Sequence, residues 1–226
     1  MTGASEPVRP WRGVSAEQRV SERRERLLAA GLEVFTSRGY LAAKVRDVCA
    51  EARLTERYFY ESFADKEALL RAVAEGIVAD FVAAAAPSVA LVGSDFDAAA
   101  GGAARAVIAS LTDDPRRARI LFIEIVGVSP ALEDRRRVLI GALVDVVRGA
   151  AATAFGPWAR TSVEVELIAR AVVGAAQELL IAYVRDELPI DQDGLVANVK
   201  RLFLSARPQI AAAAAREQAG TREDSR

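Results

Sequence analysis

The stretch TERYFYESF at residues 55–63 sets Arg57 and Glu61 four residues apart, with Tyr58 and Tyr60 beside them. Positions four apart share a helix face, so the carboxylate can hold the guanidinium in one orientation. A guanidinium held in this way can give two parallel hydrogen bonds to O6 and N7 of a guanine, while a tyrosine hydroxyl can donate to a phosphate. Glu61 has a second role open to it, accepting from a cytosine N4; orienting Arg57 is the favoured one. Phe59 and Phe63, also four apart, fall on the opposite side with Thr55 near them, and are expected to be core.

The composition excludes most other chemistry. No histidine occurs in the 226 residues, which removes Ser-His-Asp and Cys-His nucleophile systems, HExxH zinc sites and histidine bases together. Glu124 and Glu178 lack a paired carboxylate, and no metal-ligand spacing is present, so no catalytic residue, metal or cofactor is expected. The single cysteine, Cys49, reads as a small buried hydrophobe in a reducing compartment. With 30 basic against 31 acidic residues, any surface attractive to nucleic acid must be local. The N-terminus lacks an apolar signal segment, and no apolar stretch of roughly 18 residues runs without a charge or turn. The expectation is a cytoplasmic protein without a membrane span.

The reading head needs elements to hold it. Residues 1–14, with two prolines and Trp11-Arg12, read as a flexible arm. From Ala16 the pattern is helical, with Leu28, Leu32 and Phe35 in one stripe behind the run ERRER and a stop at Arg38-Gly39. A short helix fits Lys44 to Glu51. A third begins after Thr55 and runs to about Phe63, and a fourth follows an Asp65 cap. Later segments are helical between breaks at Pro87, Gly93-Ser94-Asp95, Asp113-Asp114-Pro115, Ser129-Pro130, Gly156-Pro157 and Leu188-Pro189. Within ILFIEIVGV (120–128) every residue but Glu124 is apolar or glycine, as in a core helix. The apolar segments 163–185 and 193–206 carry more apolar positions than one buried stripe needs, and a second copy of the chain would cover the excess. Residues 208–226 read as a frayed helical tail. The fold class expected is all-α, with a helix-turn-helix domain at 15–72 and a larger helical domain at 73–207.

Short helix, three-residue break and short helix, behind a longer helix, is the layout of a helix-turn-helix reader of DNA. The segments RRERLLAAGLEVFTSRGY and VRDVCAEARLTERYFYESFADKEALLRAV resemble the N-terminal domain of the TetR family of bacterial transcriptional regulators, from Arg23 to Val73 without a gap. Phe35, Gly39-Tyr40, Val45, Val48, Tyr60, Phe63, Lys66 and Leu69 carry that resemblance. It departs at Arg53 in the turn and Arg57 in the third helix, where the family often has glycine, and at Glu61, where many members have a neutral or basic residue.

The resemblance implies a homodimeric regulator, most often a repressor, that binds a palindromic double-stranded DNA operator and is released by a small-molecule effector. Arg57, Tyr58, Tyr60 and Glu61 are then the DNA-binding head. Lys66, at the start of a helix whose N–H groups attract anions, resembles a family phosphate contact. Lys44 and Thr55 are further phosphate candidates, and Arg12 in the arm is a candidate to reach the adjacent groove. The larger domain would bind the effector and dimerise, the dimer forming through 163–185 and 193–206. Polar groups inside apolar runs, Glu124 and Gln177, are candidate effector contacts, with Phe122 and Trp158 as apolar wall. An arginine ion pair is the alternative for Glu124, and a dimer-interface hydrogen bond for Gln177. The alternative for the whole chain is a helical dimeric interaction protein in which Glu56 and Glu61 have spoiled DNA contact.

Overall fold

The computed structural model describes residues 15–223, with side chains to residue 216. The expected arm at 1–14, Arg12 included, lies outside the described residues, as do the last three of the expected tail. Among the described residues there is no strand, and the chain is all-α. It forms α1 (Ala16–Arg38), α2 (Val45–Ala52), α3 (Glu56–Ser62), α4 (Lys66–Val89), α5 (Phe96–Thr112), α6 (Pro115–Arg119), α7 (Pro130–Phe155), α8 (Val163–Val184) and α9 (Gln192–Glu223). A π-helical turn at Ile120–Glu124 follows α6, and a 3-10 turn at Pro157–Arg160 follows α7. Two compact units divide between Val73 and Ala74, inside α4.

The smaller unit is set by local signals. Ser15 and Gln18 close a capping box at the start of α1, with bonds of 2.7 and 3.1 Å that satisfy two otherwise orphaned backbone donors. Gly39, at φ 80°, takes the left-handed backbone that ends α1. Leu27, Phe35, Val48, Phe59, Leu69 and Leu70 are fully buried, so α1 to α3 and the first turns of α4 share one core. At Gly31 an added Cβ would stand 3.0 Å from Leu69, so glycine permits that helix approach.

The turn between α2 and α3 turns on Arg53, whose φ of 52° and ψ of 45° are left-handed. For a side chain other than glycine this conformation costs about 1–2 kcal/mol. It is retained because the Arg53 N–H closes α2 on Ala50, and Arg26 of α1 donates to the carbonyls of Ala52 at 2.5 Å and Arg53 at 3.2 Å. Arg53→Gly is therefore expected to stabilise the chain by about 1 kcal/mol, less what glycine adds in unfolded-chain freedom, read as a raised urea midpoint with an unchanged slope.

The larger unit departs from the sequence reading in three places. Pro87 and Pro208 end no helix: α4 runs through the first to Val89, and α9 through the second to Glu223. An interior proline costs roughly 3 kcal/mol, and burial beyond each one offsets it. Val92 is buried beyond Pro87, and Ile210 beyond Pro208 packs with Val165 and Val172 of α8. The expected tail is thus mostly helix.

The third departure is at 120–128, where Ile120 and Ile125 are buried as expected but Ile123 and Val126 are exposed, and Glu124 is buried. The π turn adds a residue to the helical repeat and so shifts the inward face. Arg119 donates to Glu124 at 2.9 Å, which makes burial of that carboxylate tolerable. Finally, α7 and α8 are long and apolar enough to cross a membrane. Both are nonetheless packed in the helical unit, where Val144 of α7 clusters with Ala169 and Val173 of α8.

Candidate nucleic-acid interface and ligand cavity

α3 presents its two sides as the periodicity requires. Phe59 and Phe63 are buried with ring centroids 5.9 Å apart, while Arg57 projects with 84% of its side chain exposed. Glu61 accepts from the Arg57 Nε at 3.0 Å, the i, i+4 pair the spacing predicts. Because the carboxylate takes the Nε side of the fork, the two Nη groups have no partner among the described residues, and they are the pair that can meet O6 and N7 of a guanine end-on. An exposed pair of this kind contributes little to stability. Its value is orientation.

The two tyrosines separate. Tyr60 is 56% exposed, its ring edge against Phe59 at 5.3 Å. Tyr58 is half-buried, with the Arg23 guanidinium 4.5 Å over its ring. Arg23 also lies 4.0 Å from Glu61, so one residue of α1 braces both members of the head. Arg24 does the same for the end of α3, donating to the Ser62 carbonyl at 3.0 Å and lying 4.3 Å over the Phe63 ring. Sequence reasoning assigned no role to the arginines of ERRER. Their spacing on the flank of the Leu28–Phe35 stripe was the available signal.

Thr55 is exposed at the N-cap of α3 and makes no side-chain capping bond. Lys44 is exposed at the N-cap of α2, its N–H bonded to the Asp47 carboxylate at 2.9 Å. Lys66 is placed differently. Its Nζ donates to the carbonyls of Tyr40 at 2.7 Å and Ala43 at 2.8 Å, and sits 4.2 Å from the Tyr40 ring centroid. Burial pulls this ammonium below the usual lysine range. Two of its three N–H groups thus hold the loop between α1 and α2, whereas the helix start itself is capped by Asp65, accepting from Ala68 at 2.7 Å. Cys49 is buried and its thiol is pushed up by burial and by nearby Glu56, consistent with an inert packing residue.

The larger unit contains an apolar cavity of about 220 Å3 bounded by α4, α5, the π turn, α7, α8 and α9. Of the four residues expected at an effector site, Phe122 and Gln177 line it. Glu124 and Trp158 do not. Glu124 is committed to Arg119, and Trp158 packs with the cluster of Ala159, Val165 and Ile210 while its indole N–H donates to the Phe155 carbonyl at 2.8 Å. Sequence reasoning missed Arg136, which lines the cavity from α7. It lies in the run EDRRRV, where nothing separates it from its exposed neighbours except position on the helix face.

Residues 27–73 match the family model for bacterial regulatory proteins of the tetR family. No curated protein matches the chain. Among solved structures, the fatty acid degradation regulator FadR from Bacillus halodurans has a TM-score of 0.71 at 16% identity, covering 80% of this chain and 94% of that one. FadR from Bacillus subtilis, solved in complex with stearoyl-CoA, has 0.69 at 16% identity, covering 80% and 97%. The TetR family transcriptional regulator PfmR from Thermus thermophilus has 0.61 at 20% identity, again covering 80% and 97%. Likeness at these identities establishes the fold.

Proposed function

We propose, from the match of residues 27–73 to the tetR family model, that this chain is a cytoplasmic repressor of that family. In this reading it binds a palindromic operator as a homodimer and is released by an apolar or amphipathic effector. The observation that carries the DNA reading is the Arg57–Glu61 pair, which holds an exposed guanidinium through its Nε and leaves both Nη groups without a partner among the described residues. Tyr60, Thr55 and Lys44 surround it with groups able to contact phosphate and so set register. Support for the dimer comes from α8, where Val163 and Leu167, one turn apart, are 71% and 63% exposed, and Ala171 and Gly174 continue the exposed stripe. Large apolar side chains left uncovered in a row mark an interaction surface. Support for an effector comes from the cavity, and a protein of the same fold binds stearoyl-CoA.

As a dimer the protein would present its two α3 helices about one DNA turn apart, roughly 34–36 Å. A ligand that prefers a different spacing weakens operator binding by its differential affinity for the two states. The test is binding to DNA upstream of the protein's own gene across a salt series. Specific binding that weakens steeply with salt supports the regulator. A folded dimer that shifts no such fragment at low salt favours a helical interaction protein instead. Arg57→Ala is expected to cost about 1–3 kcal/mol and to relax discrimination at one base pair, whereas Lys44→Ala weakens all sequences alike and lowers the salt slope by about one. Glu61→Gln should loosen specificity if Glu61 orients Arg57. Tighter non-specific binding without loss of specificity would reduce it to a repelling charge.

A further inference from the structure

Every residue lining the cavity is apolar except Arg136 and Gln177. These two polar side chains differ in what remains available. The Arg136 guanidinium is engaged side-on by one carboxylate: its Nε donates to Glu133 Oε2 at 2.8 Å and its Nη2 to Oε1 at 3.2 Å. That bonding holds the Glu133 carboxyl below the usual range, so it stays ionised and the arginine stays neutralised. The Gln177 amide, half-buried on α8, has no hydrogen-bond partner among the described residues. The cavity therefore offers a large apolar volume, one free amide and no uncompensated cation.

We infer, resting on the reading of this cavity as the effector site, that its ligand is an uncharged and predominantly apolar molecule with one hydrogen-bonding group that meets Gln177. An ionised carboxylate brought into the same volume would lose its hydration and find its only cation already neutralised. A neutral hydroxyl or carbonyl finds the amide, which has both a donor and an acceptor to give. Size agrees, because an apolar cavity of about 150 Å3 already takes benzene, and this one is about 220 Å3. The excess accommodates a flexible alkyl chain more readily than a second polar group. Glu133 is thereby a specificity-determining residue: it keeps the charge of Arg136 from serving a ligand.

The experiment compares 1-decanol with decanoate at pH 8, titrated into the full-length protein without DNA and read by calorimetry. Decanol is expected to bind at least about tenfold more tightly than decanoate. Glu133→Gln should narrow that gap by strengthening decanoate, with decanol unchanged, and Gln177→Leu should weaken decanol. Wild-type protein that binds decanoate as well as decanol, or binds neither, overturns the inference with no variant needed. A Glu133→Gln protein with wild-type melting behaviour and an unchanged preference overturns the role of Glu133. Operator release is measured separately. Decanol that binds without releasing DNA leaves the ligand class standing and counts against the regulatory reading.

Discussion

Phe59→Ala is expected to destabilise the amino-terminal unit by about 3–5 kcal/mol, the range for an aromatic removed from a closed core. Phe59 is fully buried and packs against Phe63, and both belong to a helix of only seven residues and its cap. So short a helix has little stability of its own, since nucleation is costly and each hydrogen bond beyond it adds little. What keeps α3 helical is the burial of one side. A large share of the stability of a small domain, about 5–15 kcal/mol in all, would then be lost through one side chain. The measurement is urea unfolding followed by circular dichroism, with Phe59→Leu as a milder companion that retains most of the volume. A loss below about 1 kcal/mol for Phe59→Ala would mean that α3 is held mainly by its exposed side and by Arg23 and Arg24. On the proposed role of Arg57, DNA binding should fail in Phe59→Ala although Arg57 itself is unchanged, because it loses the surface on which it is mounted.

The contrast between the two sides of α3 shows what was legible in the sequence. A period of four residues separates Phe59 and Phe63 from Arg57 and Glu61 with no knowledge of the rest of the chain, and the ion pair follows from spacing alone. The all-α class was legible for the same reason, since most helix starts carry their own cap: Ser15, Asp65, Asp95, Asp114, Ser129 and Ser162 each accept from a backbone N–H two or three residues on. Local signals of this kind are short-range physics. What depends on distant partners was not legible. Pro208 looks like a terminus until Ile210 is seen packed against Val165 and Val172. Glu124 reads either as a ligand contact or as half of an arginine ion pair, and the π turn that brings it to Arg119 decides between them. Arg136 looks like its neighbours until the cavity is present to give its helix face a meaning. Phe122 and Gln177, by contrast, do line the cavity.

Lys66 is where the two kinds of information meet, and Lys66→Met is expected to lower stability by roughly 2–4 kcal/mol. Methionine keeps the length and apolar stem but leaves the carbonyls of Tyr40 and Ala43 without the donor at 2.7 and 2.8 Å and the Tyr40 ring without its cation. By sequence the same lysine reads as a phosphate contact at a helix start, so the two roles give different results on DNA. Removing a cation that touches phosphate lowers the slope of log affinity against log salt by about one. Removing a clamp leaves the slope of the folded protein unchanged and moves only the unfolding midpoint. The geometry favours the clamp, and pH provides a second discrimination. Burial lowers the folded-state pKa of Lys66, so just below the ordinary lysine range the unfolded chain holds more protons than the folded one. Wild-type stability relative to Lys66→Met should therefore rise with pH through that window. A fall across it would mean that Lys66 is held by a carboxylate, raising its pKa, and the two carbonyls would no longer account for its position.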